Sequence, residues 1–425
     1  MTADFAMRLA SAAAQVLVPQ GGTVVIGKDT RLSGYMFESA LEAGFVAAGA
    51  DVLLLGPLPT PGIARLTQEF DADLGVVISA SHNAFFDNGI KFFDRSGSKL
   101  TDDIEMKIEE HLKNPAITLE SHQLGKAKRI DTARIRYQDF CAASMPDGIN
   151  LEGMKVVFDG ANGAGYKVGP RALANLGAEV IPIGCSPNGK NINAGCGSME
   201  PELLQLTVPA VKGNVGVALD GDGDRVVMVD ETGKLIDGYQ LLYVLAMDRK
   251  SNGGLSGPVV GTVMSNLGLE HALQAMDIDF RRAAVGDRYV LETLRSTGGI
   301  IGGETSGHML VLDKTTTGDG LISALQVLAI MKRTGKPLSE LVAGMPKYPQ
   351  TMVNVRTERR LNPDESTAIQ DAVAVAEGEL ADKGRVVLRA SGTEPVIRVM
   401  VEGEDAEQVV SLAKRLASIV AEAAA

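Results

Sequence analysis

The chain carries the run Thr23-Val24-Val25-Ile26-Gly27, a polar loop at 28–33, an apolar helical segment, and then Asp51-Val52-Leu53-Leu54-Leu55-Gly56. Strand, loop, helix and strand within roughly 30 residues is the pattern of a β-α-β crossover. The same order returns at 155–184 and at 258–286. The sequence therefore predicts three related α/β domains.

Apolar runs at 75–78, 215–219 and 226–229 show no alternation of polar and apolar residues. Strands of this kind are buried on both faces, which is typical of parallel or mixed sheets that are covered by helices. After Pro346 shorter strands and two helices follow, and they indicate a smaller α+β unit. We predict four domains around a central cleft, with bounds at 1–140, 141–245, 246–345 and 346–425.

The composition excludes several classes of protein. The 425 residues are 45% hydrophobic and 22% charged, as in a globular protein, and the net charge of −12 repels nucleic acid and anionic lipid. The sequence contains no uninterrupted run of about 18 apolar residues, which is the length that a membrane-spanning helix needs. We therefore expect neither nucleic acid nor a membrane as partner. The three cysteines (Cys141, Cys185 and Cys196) are too few for a disulfide framework and predict a cytoplasmic location.

Three carboxylates alternate with glycine in Asp220-Gly221-Asp222-Gly223-Asp224, between two apolar strand-like runs. Hard oxygen ligands at this density indicate Mg²⁺ or Ca²⁺, because three unpaired carboxylates would repel one another. A polar surface turn is the plain alternative. An EF-hand fits the acidic spacing but fails at its sixth position, where Arg225 replaces glycine, and on its strand-like flanks.

A second constellation, Ser79-Ala80-Ser81-His82-Asn83, follows the buried run at 75–78, and Lys91 comes shortly afterwards. A serine in a loop at a strand end lies where α/β domains place ligand chemistry. His82 is either a general base for Ser81 or a structural histidine. The pattern by itself leaves both readings open.

Two further loops have the composition of binding sites. Residues 389–395 with Arg398 supply two guanidinium groups, hydroxyls and exposed amides, which suit a phosphate, although a solvated turn is the alternative. Because the average charge is negative, a phosphate-bearing ligand needs such a local basic site. Residues 302–308 combine Glu304, Ser306 and His308 between glycines, which suits the hydroxyls of a sugar.

These four runs, in this order, resemble the α-D-phosphohexomutase family, and the similarity also covers 27–33, 187–193, 285–290 and 315–320. The resemblance implies Ser81 as a phosphoserine, Mg²⁺ on Asp220, Asp222 and Asp224 with an oxygen on Ser81, and a hexosamine phosphate as partner. It implies proton transfer and charge stabilisation by Lys91 and His308, with Arg225 beside the phosphoserine. It implies substrate binding by Glu304, Ser306, Asp287, Arg288, Arg389, Ser391, Gly392, Thr393 and Arg398.

The activity implied by the resemblance is interconversion of glucosamine 6-phosphate and glucosamine 1-phosphate through a bisphosphate, for UDP-N-acetylglucosamine and cell-wall synthesis, by a possible homodimer. Mutases of glucose or mannose phosphates are the alternative within the family. Two features depart from its pattern: Ala84 stands where proline is usual, and the chain starts beyond a Phe-Gly-Thr-Asp-Gly-Ile-Arg-Gly loop. A catalytically silent sugar-phosphate-binding protein is therefore a further alternative.

Overall fold

The computed structural model describes residues 1–357, 362–390 and 396–424. Within these residues four β-sheets follow one another along the chain, each accompanied by helices. The first three sheets contain both parallel and antiparallel neighbours, and the fourth is antiparallel. The predicted fold class, three related α/β domains followed by a smaller α+β domain, is confirmed.

The first domain is built on a five-stranded sheet. Its elements are α1 (Ala3–Leu17), β1 (Gly22–Lys28), α2 (Ser33–Ala47), β2 (Ala50–Pro57), α3 (Thr60–Glu69), β3 (Leu74–Ile78), β4 (Ile90–Asp94), α4 (Asp102–His111) and β5 (Ala127–Arg129). The strand order is β4-β3-β1-β2-β5, and β4 alone runs antiparallel to its neighbour. Since β3 and β4 form a hairpin-like pair, the loop with Ser81 and the start of β4 with Lys91 lie at the same edge of the sheet.

The second domain repeats this plan. Its elements are α5 (Ala133–Ala143), β6 (Lys155–Asp159), a 3₁₀ turn (Ala164–Tyr166), α6 (Val168–Asn175), β7 (Glu179–Ile183), α7 (Glu202–Ala210), β8 (Val215–Leu219), β9 (Val226–Val229) and β10 (Leu235–Ile236). The order is β10-β9-β8-β6-β7, with β9 antiparallel to β8. The residues that connect β8 to β9 are 220–225, so the three aspartates lie in the turn between two buried strands.

The third domain has four short strands between long helices. Its elements are α8 (Gly238–Ser251), β11 (Val259–Thr262), α9 (Leu267–Gln274), β12 (Phe280–Ala283), α10 (Asp287–Thr297), β13 (Ile301–Gly303), β14 (Met309–Val311), α11 (Gly320–Thr334) and α12 (Leu338–Leu341). The order is β12-β11-β13-β14. The loop between β13 and β14 carries Glu304, Ser306 and His308, at the edge that faces the aspartate turn.

The fourth domain is a three-stranded antiparallel sheet with two helices. Its elements are β15 (Gln350–Arg356), a 3₁₀ turn (Pro363–Glu365), α13 (Thr367–Leu380), a second 3₁₀ turn (Ala381–Lys383), β16 (Gly384–Ala390), β17 (Val396–Gly403) and α14 (Ala406–Ala424). The strand order is β15-β17-β16.

The hydrophobic cores divide the chain unevenly. One continuous core joins buried side chains of the first three domains, such as Val25, Phe158 and Leu325. The fourth domain has a separate core of its own, which includes Val399 and Leu412. Burial of apolar surface is the main stabilising contribution in folding, so the first three domains depend on one another for stability more than on the fourth.

Candidate active site

The aspartate turn between β8 and β9 gathers three buried carboxylates. One oxygen from each of Asp220, Asp222 and Asp224 lies within 4.8 Å of the others. Gly221 permits the close approach of the Ser81 loop to this turn, because a Cβ atom there would lie 2.6 Å from the carbonyl oxygen of Ser81. The flanking segments are strands, which excludes the helix-loop-helix arrangement of an EF-hand.

The carboxylate oxygens fit a divalent cation. Among the described residues, Oδ1 of Asp222 and Oδ1 of Asp224 are buried and have no hydrogen-bond partner. Burial, followed by repulsion from Asp224 and Asp222, raises the pKa of Asp220 well above its ordinary value. Buried carboxylates that lack partners are costly, and a cation would neutralise them. The cluster is therefore able to hold a metal ion.

Ser81 lies directly against this cluster. Its hydroxyl donates a hydrogen bond of 2.6 Å to Oδ2 of Asp220. The hydroxyl oxygen therefore lies beside the carboxylates that fit a cation. His82 takes no part in this contact, and its Nδ1 has no partner in the part of the chain that the structure describes. Burial and the positive charge of Arg225 lower the pKa of His82, which favours the neutral imidazole.

Lys91 places a positive charge beside the aspartates. Its Nζ lies 2.7 Å from Oδ2 of Asp222 and 3.5 Å from Oδ2 of Asp224. Burial alone would lower the pKa of Lys91, but these two carboxylates outweigh burial and raise it, so the amine is protonated. Thr60 also donates a hydrogen bond of 2.6 Å to Oδ2 of Asp222.

His308 lies between two carboxylates. Its Nδ1 is 3.7 Å from Oδ1 of Asp224, and its Nε2 is 3.5 Å from Oδ2 of Asp287, which pairs with Lys99. Burial disfavours the imidazolium, yet Asp224 and Asp287 together raise the pKa of His308. The arrangement favours a protonated histidine that faces the aspartate turn.

A cavity of about 370 Å³ opens next to the cluster. It is lined by side chains from the second, third and fourth domains: Arg225, Asp237, Tyr239, Thr262, Met264, Asn266, Val285, Glu304, Thr305, Ser306, Lys347, Gln350, Met352, Val387, Arg389, Arg398 and Met400. Arg225 connects the cavity with the cluster, since its backbone N–H donates to Oδ1 of Asp220 at 3.2 Å. Glu304 and Ser306 line the same cavity as Arg225.

Two arginines of the fourth domain face each other in this cavity. Arg389 on β16 is the direct cross-strand neighbour of Arg398 on β17. Like charges in opposite positions destabilise a sheet unless an anion lies between them. The predicted residues Ser391, Gly392 and Thr393 lie outside the described residues.

Arg288 lies outside the large cavity. It pairs with Asp102 of the first domain and with Glu292 of its own helix, and it lines a smaller cavity of about 150 Å³ between the first and third domains. Its predicted contact with substrate stays a prediction. Asp287, which was predicted together with Arg288 to bind substrate, does not line the large cavity. Its Oδ2 lies 3.5 Å from Nε2 of His308.

Sequence reasoning did not assign several residues that contact the site. Arg31 and Asn193 donate to the carbonyl oxygen of Ser81, Thr60 contacts Asp222, and Lys99 pairs with Asp287. The runs 27–33 and 187–193 contain Arg31 and Asn193, so a signal was present without a role attached to it. Thr60 and Lys99 carry no comparable signal.

Comparison with known proteins agrees with this geometry. The chain is 54% identical to a phosphoglucosamine mutase of Thioalkalivibrio sulfidiphilus over 424 residues, which is 99% of this chain and 94% of that protein. It is 55% identical to a phosphoglucosamine mutase of Alcanivorax borkumensis, over 100% of this chain and 95% of that protein. The chain belongs to the α-D-phosphohexomutase family.

The phosphohexomutase assignment extends to each domain. Models of phosphoglucomutase/phosphomannomutase α/β/α domains I, II and III match residues 1–117, 136–233 and 237–348. The C-terminal domain of the same enzymes matches residues 352–419. The resemblance to this family that the sequence motifs indicate is confirmed.

Solved structures show the same phosphohexomutase fold. A phosphoglucomutase/phosphomannomutase family protein from Burkholderia thailandensis is 24% identical, with a TM-score of 0.82, over 99% of this chain and 94% of that one. N-acetylphosphoglucosamine mutase of Aspergillus fumigatus, in complex with GlcNAc-6P and magnesium, is 17% identical, with a TM-score of 0.70, over 100% of this chain and 93% of that one. At these identities the likeness extends to the fold alone.

Proposed function

We propose that the chain interconverts glucosamine 6-phosphate and glucosamine 1-phosphate, with Ser81 as the residue that carries the phosphoryl group. The observation that carries the proposal is the contact of 2.6 Å between the Ser81 hydroxyl and Asp220, within a buried cluster that fits a cation. The names of relatives at 54% and 55% identity support the choice of substrate.

Mg²⁺ is the proposed ion, held by Asp220, Asp222 and Asp224 together with an oxygen on Ser81. It is the hard cation that phosphoryl-transfer sites use, and when bound it neutralises charge on the phosphoryl oxygens. Lys91 adds a protonated amine on the same side. Transfer of a phosphoryl group depends mainly on alignment and charge neutralisation, which these residues are placed to provide.

In the proposed reaction, phosphorylated Ser81 gives its phosphoryl group to the free hydroxyl of the hexosamine phosphate. The bond between phosphorus and Ser81 Oγ breaks, a bond to the sugar oxygen forms, and the sugar hydroxyl loses its proton. The departing Ser81 Oγ gains a proton, for which the protonated Lys91 and His308 are the candidate donors, and the same two groups provide charge balance. The proton that the sugar hydroxyl loses restores the donor, so the step is balanced. The bisphosphate then turns over and returns its other phosphoryl group to Ser81, which leaves the isomeric product.

The large cavity is proposed to bind the part of the substrate that does not react. Arg389 and Arg398 would bind the distal phosphate, joined by residues 391–393, while Glu304 and Ser306 would bind sugar hydroxyls. A site that accepts both isomers needs to hold whichever phosphate is distal, so a fixed basic end is useful in both directions. Asp287 would orient His308, and Arg225 would contact the phosphoserine.

The test is a mutase assay combined with intact mass. We expect the purified protein to convert glucosamine 6-phosphate in the presence of Mg²⁺ and a hexose 1,6-bisphosphate, and to carry one phosphoryl group. Because Ser81→Ala removes the acceptor oxygen, turnover should fall by a factor on the order of 10⁴ or more. Ser186→Ala, at an exposed position, is the matched control.

Three results distinguish the alternatives. Faster turnover of glucose or mannose phosphates than of glucosamine phosphates would identify the other activities of the family. Binding of substrate without turnover would identify a silent binding protein. Unimpaired turnover in Ser81→Ala would contradict the phosphoserine mechanism.

A further inference from the structure

The backbone of Ser81 has a conformation that needs support. Its φ angle is 50°, in the left-handed region that side chains other than glycine seldom adopt. This conformation occurs together with the contact between Ser81 Oγ and Asp220. Neighbouring groups must therefore hold the residue in place.

Two side chains donate hydrogen bonds to the same pair of backbone carbonyl oxygens. The Nη2 atom of Arg31 donates to the carbonyl oxygens of Ser81 and Asn83, at 3.2 and 2.6 Å. The Nδ2 atom of Asn193 donates to the same two oxygens, each at 3.0 Å. We call Arg31 and Asn193 the serine clamp.

The clamp is anchored in two domains. In the first domain, Arg31 is buried and pairs with Asp29, and its backbone N–H donates to Asp29 Oδ1 at 2.8 Å. Ser79 extends this network, because its hydroxyl donates to Asp29 at 2.5 Å and accepts from the Ser81 N–H at 2.9 Å. Asn193 comes from the second domain, which also supplies the aspartate turn.

Each clamp residue leaves one buried polar atom unpaired. Within the described residues, Oδ1 of Asn193 and Nε of Arg31 have no hydrogen-bond partner. An unsatisfied buried polar atom costs stability. If the clamp served stability alone, these two unpaired atoms would reduce its benefit. A role in fixing the position of Ser81 explains why the two residues are present despite this cost in stability.

We propose that Arg31 and Asn193 are positioning residues, which hold the Ser81 loop so that its hydroxyl faces the aspartate turn. The inference rests on the proposed role of Ser81 as phosphoryl carrier. The clamp acts through the backbone of Ser81, so it affects transfer more than it affects binding of substrate. Because Asn193 belongs to the second domain, it also ties the position of the serine to the domain that carries the aspartates.

The main test variant is Asn193→Gly. The φ angle of Asn193 is 58°, which glycine adopts without strain, so the change removes the amide and leaves the backbone conformation accessible. Asn188→Gly, at an exposed position in the same loop, is the matched control, because Oδ1 of Asn188 accepts from the N–H of Lys190 at 2.9 Å and the side chain makes no contact with Ser81. Arg31→Lys and Arg31→Met form a second pair, because lysine retains the charge and part of the donor capacity.

Four quantities are measured: kcat, KM, Mg²⁺ affinity by calorimetry, and the rate at which a hexose 1,6-bisphosphate phosphorylates Ser81, followed by intact mass. For Asn193→Gly we expect kcat and the phosphorylation rate to fall together by about 10- to 100-fold, because a small misplacement of a reacting group has a large effect. KM and Mg²⁺ affinity should stay within about twofold of wild type. Arg31→Lys should lose less than Arg31→Met, and Asn188→Gly should match wild type.

Other outcomes would overturn the inference. Wild-type kcat in Asn193→Gly and Arg31→Met would show that the clamp does not position Ser81. A loss of kcat that is matched by a loss of Mg²⁺ affinity or of thermal stability would assign the clamp a structural role. No turnover and no phosphorylation in the wild-type protein would instead contradict the proposed function, and the inference with it.

Discussion

The carboxylates of Asp220, Asp222 and Asp224 are held together by the turn between β8 and β9, and not by attraction for one another. Lys91 and Thr60 satisfy Oδ2 of Asp222, while Oδ1 of the same residue has no partner in the described part of the chain. Ligands that bind only the folded state stabilise it. Added cation should therefore be visible in the stability of the protein.

We expect Mg²⁺ to stabilise the wild-type protein by about 2.7 kcal/mol when the ion is present at 100 times its dissociation constant. Asp222→Asn removes one charged ligand and should weaken Mg²⁺ binding by at least about 10-fold. The increase in the unfolding temperature on addition of Mg²⁺ should shrink accordingly, and turnover should fall with it. Differential scanning calorimetry in chelator and in Mg²⁺ measures both states.

Asp230→Asn is a suitable control for this change. Asp230 is buried at the other end of β9, and its Oδ1 accepts hydrogen bonds from backbone N–H groups of the following turn. The control should lose some stability and keep its full response to Mg²⁺. An equal response to Mg²⁺ in Asp222→Asn and wild type would refute the metal assignment.

Functional residues could be predicted where several of them lie close together in a short stretch of sequence. The aspartate turn and the Ser81 loop could be read as chemistry because unusual residue types lie close together in the chain. Arg31 and Asn193 could not be assigned, because each acts on backbone oxygens of a loop 50 and 112 positions away in the chain. Every residue has a backbone carbonyl oxygen, so a side chain that donates to one requires no particular residue type at the accepting position. The sequence therefore carries no signal for such a contact.

Helix α11 begins at a buried carboxyl group. Asp319 accepts a hydrogen bond of 2.9 Å from the N–H of Ile322, and it accepts one of 2.8 Å from the hydroxyl of Tyr137. Burial raises the pKa of Asp319 to about 6 despite these bonds. The start of α11 therefore carries a group that ionises near neutral pH.

This raised pKa predicts a dependence of stability on pH. The folded state binds the proton of Asp319 more tightly than the unfolded state does. The protonated carboxyl group therefore contributes to the free energy of unfolding at low pH, and this contribution is lost as pH rises through about 6. Relative to Asp319→Asn, the free energy of unfolding of wild type should fall by roughly 2 kcal/mol between pH 4 and pH 7. Asparagine keeps an acceptor for the helix N-terminus.

Denaturant unfolding of both proteins at the two pH values tests the prediction. Using the difference between the two proteins cancels groups that titrate equally in both. A difference that is constant across this pH range would show that Asp319 ionises normally.

Elements with a clear sequence pattern were predicted more accurately than the shortest strands. The apolar runs at 215–219 and 226–229 are β8 and β9, and the two helices predicted after Pro346 are α13 and α14. The edge strands β5 and β10 were not predicted, since three and two residues are too few to show a period. Their pairing depends on a neighbouring strand that is distant in sequence.

The large cavity draws its lining from three domains, and its basic end comes from the fourth. The net charge of the chain is −12, so Arg389 and Arg398 concentrate positive charge against the average field. The fourth domain contributes nothing to the aspartate cluster among the described residues. Binding of substrate and transfer of the phosphoryl group should accordingly be separable by mutation.

We expect Arg398→Met to raise KM by about 10- to 100-fold, because hydrogen bonds to charged groups contribute about 1.5–3 kcal/mol. The Mg²⁺ affinity should not change. Stability in phosphate-free buffer should not fall, since the change relieves repulsion between Arg398 and Arg389. Steady-state kinetics and calorimetry measure these quantities.

Arg415→Met, on α14 of the same domain, is the control, because Arg415 pairs with Glu379 away from the cavity. It should leave KM unchanged. An unchanged KM in Arg398→Met would remove this residue from the substrate site.

Some properties of the whole chain stay predictions. These are the domain boundaries at 140, 245 and 345, the cytoplasmic location and a possible homodimer. No helix among the described residues is long and apolar enough to cross a membrane. The four-domain order could be predicted because the first three domains repeat a local β-α-β pattern and the pattern changes after Pro346. The side chains that meet at the cavity could not, because they come from distant parts of the chain.

The separate core of the fourth domain has a consequence for how such enzymes diversify. A domain with its own core, joined to the rest through the chain near Met345, can be exchanged between relatives without exposing the apolar interior of its neighbours. Recombination at that junction would join a different fourth domain, with its own phosphate-binding residues, to the first three domains and leave their shared core unchanged. By contrast, an exchange of any one of the first three domains would cut through a shared interior.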